Sequence, residues 1–315
     1  MLVRTTDLPT AAIPGQGKRF ALALGCFDGV HKGHAALFDA LLSRAGELVP
    51  AAWTFSDGAE LVRKKSGRIF PTEEKLRLIG ELGVPYAFLY RFSGIADLSP
   101  EAFVSEILVG ECGCALAVCG YDFTFGRGAS GNAETLCRLL AAYGARTLIL
   151  PPVTDGEGPI SSHRVRLLLR EGRMEDVARL LGRPYFLSGT VEHGARLGRE
   201  LGFPTINLSF PEDAVIPRHG VYVSLTELEG RRYRSVTNVG TRPTVSGSGV
   251  TCETNLFDFC GSAYGKRARV ALLSFLRGEE RFSSEKELAG TVEQDKKAAA
   301  AYFLSHAADK DGEKG

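Results

Sequence analysis

The chain has 315 residues, 44% hydrophobic and 24% charged, with a formal net charge of +1. That length predicts roughly two domains whose cores need neither metal nor disulfide. The near-zero charge excludes a broad field for nucleic acid or anionic membrane, so any anionic ligand must be held by a local site. The opening "MLVRTTDLPTAAIPGQGKRF" has no apolar signal core, and no apolar run reaches the roughly 18 residues that span a bilayer; neither secretion nor a membrane span is expected.

The first half alternates strand and helix. "RFALALG" (19–25) is a short apolar run of the buried-strand type. "HAALFDALLSRAGEL" follows with helical spacing at Leu37, Leu41 and Leu42. "PAAWTF" reads as a strand, "TEEKLRLIGELG" as a helix capped by Thr72, and "YAFLYRF" as a strand. "SPEAFVSEIL" is a helix with Ser99 as cap and Pro100 in the first position. "ALAVCG" is a strand, "AETLCRLLAAYG" a helix ending at Gly144, and "TLILPP" a strand. Strands this apolar, alternating with helices, predict a parallel sheet covered on both faces.

After Pro152 the pattern changes. "SSHRVRLLLREG" and "MEDVARLLGRP" are two short helices, each closed by glycine. From Phe186 onward turn residues and alternating strands dominate. "GVYVSLTELEGRRYRSVTNVG" is a hairpin turning at Glu229-Gly230, and "TCETNLFDF" and "RARVALLSFLR" are further strands. This half predicts an antiparallel barrel or sandwich followed by a final helix, "SSEKELAGTVEQDKKAAAAYFLS", and a frayed polar tail over 306–315. The division is expected at Gly182–Pro184: an α/β domain over 1–182, an all-β domain over 183–305.

The cysteines are Cys26, Cys112, Cys114, Cys119, Cys137, Cys252 and Cys260. Their number is odd and no C-x-x-C pair occurs. The cluster at Cys112, Cys114 and Cys119 reads as buried thiols rather than a metal site. Free thiols point to a reducing cytoplasm.

Two stretches carry chemistry. "GCFDGVHKGH" (25–34) joins the first strand to the first helix, where ligands bind in open parallel sheets. Gly25, Phe27, Asp28, Gly29 and Gly33 are its candidate phosphate-binding positions, since glycines admit close backbone approach and a helix N-terminus offers unpaired N–H groups. His31 and His34, spaced i,i+3, share one side of the first turn and are candidates to donate to a phosphoryl-transfer transition state. A zinc site would need a third ligand that the spacing does not supply, and a capped loop with exposed histidines is the structural alternative. A Walker-type phosphate loop is absent.

"SGTVEHGARLGRELGFPTINLSF" (188–210) places Gly189, Gly194 and Gly198 in a loop able to close over a nucleotide. Thr205 and Asn207 share one strand face and offer hard oxygens suited to Mg²⁺ beside phosphates. A barrel edge loop with a polar strand face is the alternative. Arg196 and Arg199 either reach phosphates or are solvated charges. His193 and His219 receive no role.

G-x-F-D-G-V-H-x-G-H resembles the nucleotide signature of the adenylyltransferase module in prokaryotic bifunctional riboflavin kinase/FAD synthetases, of the H-x-G-H nucleotidyltransferase superfamily. "GYDFTFGRGASGN" (120–132) resembles that family's flavin segment, which implies Asp122, Phe123 and Phe125 as flavin contacts. "ISSHRVRLLLREGRMEDVARLLGRPY" (160–185) resembles its I-S-S-T-x-I-R segment, implying that Ser161, Ser162 and Arg166 hold ATP phosphates. G-x-V-x-x-G-x-x-x-G-R-x-L-G-F-P-T-x-N-L, "NVGTRPTV" (238–245), "CETNLFDF" (252–259) and "LSFLRGEERFSSEKELAGTVEQD" (273–295) resemble the riboflavin kinase module. There the resemblance implies Thr205 and Asn207 at Mg²⁺ and ATP, and Glu253 as general base; Gly194 and Arg199 in the glycine-rich loop are candidate phosphate contacts.

Three positions depart from the family pattern. His163 stands where threonine is usual, Ser56-Asp57-Gly58 where a P-H-P triplet is usual, and Asn255 where histidine is common. The resemblance implies a Rossmann-like nucleotidyltransferase domain and a β-barrel kinase domain with a terminal helix. It implies phosphorylation of riboflavin to FMN by ATP, then adenylylation of FMN to FAD with release of pyrophosphate, in a cytoplasmic monomer or weak oligomer without nucleic-acid or membrane partners. A kinase with an inactive first domain and a non-catalytic flavin-binding regulator are the other readings.

Overall fold

The computed structural model describes residues 1–5, 18–56, 67–192, 204–244, 247–280 and 282–311. It divides into two compact units, Met1–Arg164 and Val165–Gly315.

The first unit runs β1 (Leu2–Thr5), β2 (Phe20–Leu24), α1 (Lys32–Arg44), β3 (Val49–Phe55), α2 (Thr72–Glu81), β4 (Tyr86–Tyr90) and α3 (Pro100–Ala102). A π-helical stretch (Phe103–Glu111) continues α3, followed by β5 (Cys114–Gly120), β6 (Thr124–Phe125), β7 (Gly131–Asn132), α4 (Ala133–Ala141) and β8 (Arg146–Leu150). Six parallel strands form one sheet in the order β1-β4-β3-β2-β5-β8. Every residue of β2 is buried, as a central strand covered on both faces requires. From β2 the chain winds outward through β3 and β4, then returns to place β5 on the other side of β2. The topological switch point therefore lies between the carboxyl ends of β2 and β5, where such sheets bind ligands.

Several local expectations change. β1 pairs with β4 as a sixth strand, although its residues show no buried pattern in the sequence. Thr72 does not cap α2: Pro71 holds the N-cap position with no side-chain cap, and Thr72 Oγ1 donates instead to Ser56 O at 2.8 Å. Its hydroxyl is spent on tying the helix to the end of β3. Ser99 caps α3 as expected, accepting from Ala102 N at 3.2 Å. Beyond it the turn widens: Cys112 N reaches Ile107 O at 3.0 Å, five positions back. That period keeps Phe103, Val104, Ile107, Leu108 and Cys112 on one buried face. Trp53 anchors this core, stacked on Tyr90 and edge-on to Phe103.

α5 (Ser162–Glu171) spans the division between the units, and α6 (Met174–Leu181) ends in left-handed Gly182 at φ 75°. The second unit continues with β9 (Tyr185–Thr190), β10 (Thr205–Ser209), β11 (Gly220–Leu228), β12 (Arg231–Thr244), β13 (Gly247–Leu256), β14 (Arg267–Arg277) and α7 (Glu285–Asp311). Its antiparallel sheet has the order β10-β13-β12-β11-β14-β9. The sheet curls until its edges approach: Glu192, just past β9, bridges Asn207 on β10. The β11–β12 hairpin turns through Glu229 and Gly230, both left-handed at φ 51° and 76°, the two-residue geometry that suits strand twist. α7 runs on to Asp311, into the stretch read as a polar tail. Arg277 of β14 grips Asp295 of α7 through two hydrogen bonds of 2.9 and 2.7 Å. Among the described residues no helix is long and apolar enough to cross a membrane.

Between β11, β12 and β13 runs a fully buried hydroxyl chain. Ser235 Oγ bonds Thr226 (2.9 Å) and Ser224 (2.8 Å), and Thr237 Oγ1 bonds Ser224 (2.7 Å) and Thr254 (2.9 Å). These five residues are 0% exposed. A one-residue slip of register would send every hydroxyl to the other face and leave the chain unsatisfied. The isosteric change Thr237→Val is expected to break the chain by removing one hydrogen bond from each of Ser224 and Thr254, and to cost about 2 kcal/mol. The check is denaturant unfolding of the variant beside the parent; unchanged stability would mean that the chain does not hold these strands.

Candidate active sites

The turn from β2 into α1 is strained. Phe27, Gly29 and Val30 all have positive φ, at 51°, 82° and 43°; for β-branched valine that is costly. The conformation is held by ties from outside the turn. The Asp28 carboxylate accepts from Ile69 N at 3.0 and 3.2 Å, and Asp28 O accepts from Ser162 Oγ at 2.7 Å. His31 then serves as the N-cap of α1, its Nδ1 accepting from His34 N at 3.3 Å. With Nδ1 accepting, the ring proton of the neutral tautomer sits on Nε2. The His34 ring stacks on His31 with centroids 3.6 Å apart and meets the Phe27 ring edge-on at 5.3 Å. A Cβ at Gly33 would press on the His31 ring at 3.1 Å, so the third glycine of the stretch makes room for the first histidine.

This turn forms one wall of a cavity of about 660 Å³ at the switch point. Gly25, Phe27, His31, Gly33 and His34 line it; so do Ser161, Ser162 and His163 from the start of α5, and Asp122, Phe123 and Phe125. Residues separated by more than a hundred positions in sequence thus share one space. Ser161 also caps α5, accepting from Arg164 N at 3.3 Å. Phe123 and Phe125 stack at 5.7 Å, and the Phe125 ring lies where a Cβ on Gly131 would come within 2.8 Å of it. Asp28 and Gly29 are absent from the lining: the Asp28 carboxylate is turned to Ile69 and holds the loop from behind. Arg166 is buried one turn beyond Ser162 on α5. Sequence reading missed the aromatic wall opposite, Trp53, Phe55, Phe92 and Phe103. Trp53 and Phe55 alternate on β3 and so share a face, a signal that strand prediction alone leaves without a destination.

The second site lies on the antiparallel sheet of the second unit. Register places Asn207 of β10, Glu253 of β13 and Asn238 of β12 abreast, with Thr205 opposite Asn255 one step along. Cross-strand partners share a face, so Thr205, Asn207, Glu253 and Asn238 converge there. Asn207 is 5% exposed, and its Oδ1 is buried without a hydrogen-bond partner among the described residues. A buried amide oxygen left open beside a half-buried carboxylate suits a hard divalent cation such as Mg²⁺. Asn255 Nδ2 donates to Pro204 O at 2.9 Å and so anchors the entry to β10.

Two residues outside the sequence reading join this face. Gly240 has no side chain where a Cβ would meet Glu279 Oε1 at 2.0 Å and Asn238 Nδ2 at 3.3 Å. The Glu279 carboxylate therefore lies over the strand next to Asn238, and His219 Nδ1 stands 3.4 Å from it. Gly194, Arg196, Arg199, Asp57 and Gly58 lie outside the described residues.

The seven cysteines are free thiols, and burial pushes those of Cys114, Cys119 and Cys252 up to about 12. Among the described residues no group of three or more His, Cys, Asp or Glu is gathered to hold a metal.

Residues 14–164 match the family model of FAD synthetase and residues 181–303 that of riboflavin kinase. A bifunctional riboflavin kinase/FMN adenylyltransferase of Bacillus subtilis is 33% identical over 305 residues, covering 94% of this chain and 96% of the relative. One from Escherichia coli is 35% identical over 289 residues, covering 90% and 92%. A crystal structure described as a macrolide-efflux protein from Streptococcus pneumoniae superposes with a TM-score of 0.84 at 29% identity, covering 95% of this chain and 99% of that one. With both modules matched in order and relatives aligned over nearly their whole length, the chain belongs to the bifunctional riboflavin kinase/FMN adenylyltransferase family.

Proposed function

We propose that this chain makes FAD from riboflavin in two ATP-dependent steps, one at each site. The sheet face of the second unit phosphorylates riboflavin to FMN, and the strand-end cavity of the first unit joins FMN to the adenylyl group of ATP. The observation that carries this division is that each site gathers its own motif residues: His31, His34, Ser161 and Ser162 around one cavity, Thr205, Asn207 and Glu253 on one sheet face. We place the working boundary at Gly182, giving an adenylyltransferase over 1–182 and a kinase over 183–305. Net charge near zero supports small-molecule partners over nucleic acid or membrane; the free thiols support a cytoplasmic protein, which we read as a monomer or weak oligomer.

In the first step the 5′-hydroxyl of the ribityl chain attacks the γ-phosphorus of ATP and ADP leaves. Glu253 takes the hydroxyl proton. Thr205 and Asn207 would hold Mg²⁺ with the ATP phosphates, and the ion supplies charge neutralisation at those oxygens. Gly194 and Arg199 contact the ATP phosphates in this reading. In the second step an oxygen of the FMN phosphate attacks the α-phosphorus of a second ATP and pyrophosphate leaves. This asks little covalent chemistry of the protein, so positioning and donors to the phosphate oxygens dominate. His31, through Nε2, and His34 supply donors, with the backbone of Gly25–Gly33 and the hydroxyls of Ser161 and Ser162 around them. Arg166 adds a cation on α5. Asp28 acts by holding the turn. Asp122, Phe123 and Phe125 receive the flavin.

The direct test incubates pure protein with riboflavin, ATP and Mg²⁺ and resolves the flavins chromatographically. FMN and FAD together are expected. FMN alone would leave a kinase with an idle first domain, and neither product would leave a flavin-binding regulator. Replacing Mg²⁺ with excess chelator is expected to stop FMN formation; undiminished kinase activity would remove the metal from Thr205 and Asn207.

Two substitutions should cross over. Glu253→Gln is expected to lower riboflavin phosphorylation by about 100-fold or more while FAD formation from supplied FMN persists. His31→Asn keeps a good helix cap and removes the ring. It is expected to lower FAD formation about 100-fold and leave FMN formation intact. Loss of both activities in either variant would contradict separate sites.

A further inference from the structure

The first turns of α2 reach beneath the nucleotide turn, and one residue there has no place in the motifs. Lys75 is 7% exposed. Its Nζ donates to Phe55 O at 2.8 Å, to Thr54 Oγ1 at 3.1 Å and to Cys26 O at 3.2 Å. Thr54, 0% exposed, donates to the same Cys26 carbonyl at 3.0 Å. Cys26 follows the end of β2 and Phe55 ends β3, and both line the cavity while Lys75 does not. The ammonium therefore stands one peptide behind the wall, clamping the carboxyl ends of two neighbouring strands.

Burying a lysine is unfavourable unless its charge is met by well-placed oxygens. A hydrocarbon side chain would fill this space without that cost. What the cation adds is a fixed geometry for two wall carbonyls and a positive potential next to a cavity meant for phosphates. The strained turn at Phe27–Val30 begins directly after Cys26, so a shift of the Cys26 carbonyl would re-aim the N–H groups that follow it.

We propose that Lys75 is a positioning residue for adenylyl transfer: it locks the ends of β2 and β3 in register beneath the nucleotide turn and brings its ammonium up behind it. This rests on assigning adenylyl transfer to the first-unit cavity. Lys75 acts through Cys26, Thr54 and Phe55 and touches no reacting atom.

The chain carries its own controls. Riboflavin phosphorylation is the other activity of the same polypeptide, and Trp53, the single tryptophan, reports the core beside this cavity by its buried emission. Lys75→Met removes charge and hydrogen bonds together. Lys75→Gln removes the charge and keeps at most two of the three donors. In steady-state FAD formation from FMN, kcat is expected to fall about 100-fold for Met and about tenfold for Gln, with KM for FMN and ATP within about threefold. Riboflavin phosphorylation and Trp53 emission should stay at parental values. A folded Lys75→Met chain that makes FAD within twofold of the parent overturns the proposal. Should the Met variant lose its buried Trp53 emission, the Gln variant decides, and parental kcat there overturns the role of the charge. Exposed Trp53 in both variants makes Lys75 a residue of stability alone and also overturns it. A parental chain that forms no FAD overturns the assignment of the cavity, and this proposal with it.

Discussion

The first unit depends on one constraint: a strained turn must be held still at the carboxyl end of β2. Phe27 and Val30 in left-handed conformation cost about 1–3 kcal/mol each, and an isolated loop would relax. Here the strain is over-determined. The Asp28 carboxylate is fixed on Ile69 N, its carbonyl on Ser162, and the neighbouring Cys26 carbonyl on Lys75 and Thr54. Three separate segments, 67–75, the end of β3 and the start of α5, therefore converge on one turn. The same ties bring Ser161 and Ser162 to the cavity. The acid in the motif thus holds the turn from behind instead of facing the cavity, where it would repel an anion.

The second unit solves its positioning problem by register instead of by strain. Asn207, Glu253 and Asn238 are useful only while β10, β13 and β12 stay aligned. Neighbours of these residues on the opposite face, Thr237 and Thr254, belong to the buried hydroxyl chain. A slip that moved Glu253 away from Asn207 would also break that chain. Polar groups in a sheet interior are a poor source of net stability, and apolar residues would pack as well. Their value is that they penalise the wrong alignment, which is what a site assembled across three strands needs.

Much of this was legible in the sequence. Apolar runs at 19–25 and 115–120 announced central parallel strands, the Glu229-Gly230 hairpin was readable from its turn residues, and the motif residues of both sites stood at recognisable spacings. What was not legible is what depends on partners far away in the chain. Asp28 was read as a phosphate ligand because it sits inside the motif; only Ile69 N explains it. Thr72 looked like a cap because threonine before a helical run usually is one, yet Ser56 O claims its hydroxyl. Trp53, Lys75 and Glu279 lie in stretches whose local patterns announce a strand, a helix and a strand end, and nothing local marks them as belonging to a site. Edge strand β1 escaped because exposed Leu2 and Val3 carry no alternation.

The two sites also differ in what they ask of ATP. On the reading proposed above, phosphates at the strand ends would meet backbone N–H groups, a helix N-terminus and imidazole donors. On the sheet face the buried Asn207 amide oxygen would engage the nucleotide through a divalent cation beside it. A single chain using ATP twice, once at the α-phosphorus and once at the γ-phosphorus, would then orient the same nucleotide by different contacts at each site.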